Sequence, residues 1–440
     1  MTLTSGHYTG QPMPTINEVA PGPVRALSHL ACARYGLLGL PLAFVAMPLY
    51  VVLPLHYGQA LGVSLGLLGA VLLLTRLFDA LVDPLLGRWV DVLLSQARRR
   101  RLAVALAALG LLTGFVALFF PPVRGEGALL AWCAATMVWT FLAYSTASVL
   151  HLAWGTRLGG GTLQRARLVA WREGLGLVGV VLANVLATQA GLVWTASALG
   201  LALLAGVWAL LRGPMPLQAA CSEAAEAPPA LHLPWTGLGF RRLIALFLLN
   251  GIASAIPATL VLFFVQDRLQ APDWAPVCLA AYFVVGAASV PVWLRLIARL
   301  GPMQAWALGM ALSTAAFAGV MLLGAGDTTA FLLICLASGC ALGADLTVPG
   351  TLLAGVVQRA GHAGSAEGAY AGWWQWATKL NLALAAGLAL PALQLLGYAP
   401  GARDEGALLA LTAAYGGLPC VFKLCSLALC WRWRRHEALC

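Results

Sequence analysis

Apolar runs longer than the ~18 residues that suggest a membrane span recur along this chain, each closed by charge, glycine or proline. They predict helices over 30–56, 62–88, 102–120, 128–156, 170–191 and 193–211, then 239–266, 274–297, 304–324, 328–357, 367–396 and 407–431. Between the sixth and seventh runs lies GPMPLQAACSEAAEAPPALHLPWTG, Pro- and Ala-rich with Glu223 and Glu226, which has the composition of a linker. The pattern divides the chain into a tail at 1–29, a six-helix bundle at 30–212, a linker at 213–238, a second six-helix bundle at 239–431 and a tail at 432–440. The first residues, MTLTSGHYTGQPMPTINEVAPGPV, are polar and Pro-rich and lack the charged start and apolar core of a signal peptide. They read as a cytoplasmic tail.

Composition agrees with an all-α membrane protein. Hydrophobic residues make up 61% of the 440 and charged residues 10%, and the mean hydropathy is +0.85. The net charge of +10 does not point to nucleic acid, because the basic residues fall in short clusters between apolar runs and no groove-binding motif accompanies them. One set of connections carries Arg25, Arg34, Arg98 to Arg101, Arg157, Arg165, Arg167, Arg241, Arg242, Arg299, Arg359, Arg432, Arg434 and Arg435. The other carries Arg124, Arg268 and Arg403, each near an acidic residue. The positive-inside tendency then puts both termini and the linker in the cytoplasm. The ten cysteines show neither a CxxC pair nor a Cys/His metal spacing, and are expected to be unpaired thiols with no structural metal.

Within the second run, Asp79 and Asp83 lie four apart, hence on one helix face, with Arg76 three residues before Asp79. A carboxylate at membrane depth costs about 2.5 kcal/mol or more, so each needs a partner, a cation or water. Two six-helix bundles bring the second and eleventh helices to the centre, where Lys379 would oppose the pair. The grouping admits two readings, a functional site or a permanent salt-bridge lock among Arg76, Asp79, Asp83 and Lys379. Asp345, in CALGADLTVPG, suits either a cap at a helix broken by Pro349 or the transport path. Lys423 lies near enough to its helix end to snorkel. His151 reads as a packing residue. In AYAGWWQWATKLN, Trp373 reads as an interfacial belt residue, while Trp374 and Gln375 suit a ligand with apolar and polar faces.

Six plus six spans with a basic cytoplasmic connection in each half resemble the major-facilitator fold, two bundles around a central cavity. RLFDALVDPLLG is similar to the second-helix signature of the glycoside-pentoside-hexuronide cation symporters of that superfamily, the melibiose permease group. YGLLGLPLAFVAMPLYVVLPLHYG, RLVAWREGLGLVG and EGAYAGWWQWATKLNLALAAGLALP extend the resemblance over both halves. The resemblance implies a cation site at Asp79 and Asp83, a coupling hydroxyl at Ser145, a coupling lysine at Lys379 and a solute-holding arginine at Arg172. It also marks departures. Ala43 and Ser148 stand where sugar-carrying relatives have carboxylates, Val82 replaces an amide next to the cation site, and AGVVQRAG lacks the usual acidic end of the tenth helix.

The resemblance implies a cation-coupled symporter of a small organic solute, by family default a sugar, working by alternating access with a proton or sodium as coupling ion. Proton coupling is favoured by Val82, because sodium would have fewer oxygen ligands. The alternatives are an amphiphile such as a lysolipid, the cargo of animal relatives and the solute favoured by the missing sugar anchors, or a non-transporting receptor. Ser148, Arg172, Trp374 and Gln375 are the expected solute contacts, and Arg76, Asp91 and Asp345 are expected in structural or gating roles. No metal is expected beyond a possible sodium at Asp79 and Asp83, and no cofactor. The chain has no GxxxxGK[ST], HExxH or GxSxG, so neither a primary pump nor an enzyme is expected. The expected setting is a bacterial inner membrane, with the solute, the coupling cation and the bilayer as partners of a monomer.

Overall fold

A computed structural model describes residues 27–216, 228–399 and 401–433. Most of the expected N-terminal tail, the middle of the expected linker and most of the expected C-terminal tail lie outside these described residues. Twelve long helices run through the described chain: α1 (29–60), α2 (Leu65–Ser95), α3 (Ala97–Phe119), α4 (Glu126–Arg157), α5 (Thr162–Val185), α6 (Leu192–Leu211), α7 (Leu238–Arg268), α8 (Ala275–Leu300), α9 (Pro302–Leu322), α10 (Thr328–Arg359), α11 (Glu367–Leu395) and α12 (Glu405–Trp433). Among the described residues, eleven helices are long and apolar enough to cross a membrane. The other long helix, α2, carries both aspartates of the apolar run and at 31 residues spans about 46 Å at 1.5 Å per residue.

Several helices outlast their apolar runs. α2 continues past 88 to Ser95, so Arg88 and Asp91 sit on its last turns, and α3 starts at Ala97, so Arg98 to Arg101 open a helix. Similarly, α5 starts at Thr162 rather than 170. The physical reason is that apolar length marks the hydrocarbon, whereas backbone hydrogen bonding continues into the polar layer.

In the first bundle α1 packs on α5, α2 on α4, and α3 on α4 and α6; in the second, α8 packs on α10, α9 on α10 and α12, and α7 on α11 and α12. The bundles meet through α2 and α4 against α11, and through α5 against α8 and α10. One apolar core fills the first bundle and the linker-side half of the second, and a separate one, with Ile256, Phe264, Phe331 and Tyr415, fills the other half of the second. The eight cysteines among the described residues are free.

Without a hydrophobic driving force between helices in lipid, close contact depends on small residues. α1 and α5 approach so closely that a Cβ at Gly36 would lie 2.7 Å from the Trp171 carbonyl carbon, and one at Gly179 would collide with the Leu40 carbonyl oxygen. α2 crosses α11 in the same way, at Gly87, Gly368 and Gly372, where the Cβ of any larger residue would strike opposing backbone. Backbone cannot swing aside as a side chain can.

Substituting Gly179→Leu should therefore lower the unfolding temperature of the detergent-purified protein, with a cost of about 1–3 kcal/mol or more. Gly66, whose Cβ would meet nothing within 4 Å, is the control. Equal melting curves for Gly179→Leu and Gly66→Leu would contradict the packing account.

Candidate functional site

Asp79 and Asp83 face one way from the middle of α2, a helical turn apart, and Pro84 follows directly. Proline lacks an N–H, so the Ala80 carbonyl loses its helical partner beside the carboxylates. Lys379 reaches across from α11 in the other bundle: its Nζ lies 2.7 Å from Asp79 Oδ2 and 2.7 Å from Asp83 Oδ2. The same ammonium donates to Ser145 Oγ on α4 at 2.8 Å, and the Ser145 hydroxyl donates to Asp79 Oδ1 at 2.7 Å. Asp83 is 0% exposed. Among the described residues neither of its oxygens accepts an aligned hydrogen bond, so the lysine holds it by charge. Four side chains from three helices and both bundles thus converge, and with all three charged groups ionised their formal charges sum to −1. Arg76 is exposed on α2, and the 2.7 Å ion pairs of both aspartates run to Lys379.

Between the bundles lies a cavity of about 280 Å³, and Ser148, Arg172, Trp374 and Gln375 all line it, as does Ala43. Trp374 stacks on Phe247 with centroids 4.0 Å apart. Three polar residues that sequence reasoning does not single out also line it, Tyr144, Glu173 and Thr378. Glu173 pairs with Arg172 at 2.9 Å, and both remain partly exposed. Its position next to Arg172 in REGLG is the signal that could have found it, since a carboxylate beside an arginine in an apolar helix needs the same justification as Asp79.

On the linker side the bundles are locked. Asp91 on α2 accepts hydrogen bonds from the backbone N–H groups of Gly368, at 2.7 Å, and Ala369, at 2.9 Å, in the first turn of α11. A carboxylate there satisfies donors that the helix cannot satisfy itself and faces the positive end of its dipole. Arg157 at the end of α4 bridges Asp91 at 3.0 Å and Glu367 at 2.8 Å, and all three are buried. Arg88 donates to the Pro229 carbonyl, and Trp373 donates to the Leu231 carbonyl at 2.9 Å. Trp373, expected as a belt residue, therefore fastens the chain before α7. Arg157, an ordinary loop charge by the orientation count, is carried into the interface by the extended α4.

A second charged cluster lies inside the second bundle. Lys423 on α12 is not a snorkelling residue: it is 4% exposed and its Nζ lies 2.8 Å from Asp345 Oδ2 and 2.8 Å from Asn250 Oδ1. Asp345 also accepts from Asn250 Nδ2 at 2.9 Å, Trp306 Nε1 at 2.8 Å and Ser254 Oγ at 3.3 Å. α10 continues through Pro349, so Asp345 caps no broken helix. His151 packs on Tyr35, its Nε2 2.9 Å from that residue's carbonyl.

A solved bacterial homologue of the iron transporter ferroportin, in an outward-facing state, superimposes with a TM-score of 0.68 at 15% identity, over 92% of this chain and 98% of that one. The proton:xylose symporter XylE, bound to 6-bromo-6-deoxy-D-glucose, gives 0.59 at 14% identity, over 89% and 93%. FucP in the outward conformation gives 0.58 at 12% identity, over 90% and 97%. At these identities the likeness shows the major-facilitator fold. A search of curated proteins finds no match. The model of the family described as MFS/sugar transport protein matches residues 34–215 and 238–435, which is most of the chain. The chain belongs to that family, a membrane transporter of the major facilitator superfamily with a small-molecule substrate.

Proposed function

We propose that this transporter is a cation-coupled symporter of a small polyhydroxylated solute, of the glycoside-pentoside-hexuronide cation symporter group, working by alternating access with a proton or sodium as coupling ion. The observation that carries the reading is the convergence of Asp79, Asp83, Ser145 and Lys379. Two carboxylates, a hydroxyl and one tethered ammonium leave a formal charge of −1, which a single small cation would cancel. The lysine belongs to the opposite bundle, so a cation that joins the carboxylates weakens its hold on them and changes what ties α2 to α11. Coupling needs only that difference. The Asp91, Arg157 and Glu367 lock on the linker side supports an outward-facing state, with the linker and termini cytoplasmic as the basic connections indicate.

The central cavity bears on the solute class. At about 280 Å³ it lies near the ~300 Å³ lower end of small-molecule sites, which suits a sugar-sized solute better than a lysolipid with its acyl chain. Ala43 and Ser148 remove two carboxylates expected from the resemblance, but Glu173 supplies one from α5, with Arg172, Gln375 and Tyr144 beside it. The Trp374 ring, stacked on Phe247, offers a flat apolar face to the C–H side of a sugar ring. The amphiphile reading rests on the same aromatic pair and on Leu42 and Leu152, which also line the cavity, and is separated from the sugar reading by experiment.

Three outcomes are expected. In proteoliposomes, Asp83→Asn should abolish accumulation of solute against its gradient while the protein remains inserted and folded, because the amide keeps the shape and removes the charge. Undiminished concentrative uptake would sink the ion-site assignment. In thermal-unfolding assays, free hexoses or pentoses should protect the protein more than lysophosphatidylcholine does. Glu173→Gln should weaken that protection by roughly ten- to a hundredfold in apparent affinity, the scale of about 1.5–3 kcal/mol for a hydrogen bond to a charged group. Stronger protection by the lysolipid would replace the sugar reading with the amphiphile.

A further inference from the structure

A second cavity, of about 100 Å³, lies wholly inside the second bundle, among α7, α8, α9, α10 and α12. Its walls are largely apolar and aromatic, with Tyr282, Phe317, Phe331 and Tyr415 prominent, and Asp345 and Lys423 also line it. Asp345 lines the central cavity as well, so this carboxylate stands in the wall between the two. The cavity is separate from the proposed solute site. Nothing in the coupling scheme at Asp79 and Asp83 uses it.

The chemistry of the charged pair selects the ligand. Asp345 and Lys423 form a neutral pair 2.8 Å apart. A charged ligand would therefore bring an uncompensated charge into an apolar chamber, at high cost. Of the two partners the carboxylate is the accessible one, its side chain 18% exposed against 5% for the lysine. Its weakest contact is the 3.3 Å bond from Ser254, and the Ser254 hydroxyl also reaches the Asn250 carbonyl at 3.1 Å. Ser254 can turn to that carbonyl and leave one acceptor position of Asp345 facing the cavity. A ligand must then offer one neutral donor to that position and fill the remaining space with apolar, ring-shaped surface. An apolar cavity of about 150 Å³ accepts a single benzene ring, which limits a ligand here to one ring at most.

We propose that this second cavity binds a neutral single-ring aromatic molecule carrying one hydroxyl or N–H donor, the phenol class, with the donor on Asp345 and the ring among Tyr282, Phe317 and Phe331. The ring gains edge and stacking contacts with these side chains. The donor compensates the carboxylate without altering the charge of the pair.

The test is calorimetric titration of the full-length detergent-purified protein with p-cresol, toluene, p-toluate and benzylamine. These share a ring and differ in donor and charge. p-Cresol should bind at least about tenfold more tightly than each of the others, the step expected for one satisfied hydrogen bond at a buried acceptor. Ser338→Leu fills the cavity from α10 while losing only a hydroxyl bond to its own helix, and should abolish cresol binding. Ala43→Phe obstructs the central cavity instead and should leave the cresol affinity within about twofold. Asp345→Asn should weaken it about tenfold; if that variant does not fold, Ser338→Leu decides. Binding of toluene, toluate or benzylamine as tight as that of cresol would overturn the proposal. So would absence of cresol binding, or cresol binding lost in Ala43→Phe and kept in Ser338→Leu.

Discussion

A lysine of one bundle lies 2.7 Å from two carboxylates of the other, and the rest of the structure is arranged around the cost of that grouping. Charges at membrane depth must be balanced locally, because neither lipid nor distant counterions will do it. Asp83, fully buried, has Lys379 as its ion-pair partner, whereas Asp79 has the Ser145 hydroxyl as well. The balance is incomplete by one charge, and it spans the interface between the bundles. A cation that joins the aspartates from solution would weaken the lysine's hold on them, and with it one of the ties between α2 and α11. The alternation proposed for this transporter needs such a conditional tie.

The other ties are of two kinds. Gly87, Gly368 and Gly372 let the backbones of α2 and α11 touch, giving dispersion contact over a short crossing without interlocking side chains. The Asp91, Arg157 and Glu367 cluster adds directional bonds at the linker end, with Asp91 completing the first turn of α11 from the opposite bundle. Removing one member of such a buried network strands the others, at about 3–5 kcal/mol. The linker side is therefore closed cooperatively. The cluster of Asp79, Asp83 and Lys379 sits farther along the same two helices.

Much of this is legible in the sequence. Apolar length alone locates the helices, and a four-residue spacing of aspartates in an apolar run, with a lone lysine in the eleventh span, points to the groups that converge. The resemblance to cation symporters supplies Ser145 and Arg172, whose placement no spacing rule fixes. Charge at the margins is harder to read. Arg157 and Asp91 look like a loop charge and a general gating residue because hydropathy ends where the hydrocarbon ends, while α2 and α4 continue. Lys423 looks like a surface residue from its distance to the helix end, yet Asp345, 78 residues away in sequence, draws it inward. A pairing of that kind depends on helix packing, which no local pattern encodes. Glu173 is hidden by its neighbour, since the resemblance draws attention to Arg172.

The measurement that bears most directly on the central claim is the reversal potential of the solute-coupled current in proteoliposomes, with solute, proton and sodium gradients set independently. The site's formal charge of −1 predicts one positive charge moved with each solute. The reversal potential should then shift with the gradient of one of the two cations and with that of the solute in equal measure. A solute flux that carries no charge and ignores both cation gradients would contradict the account.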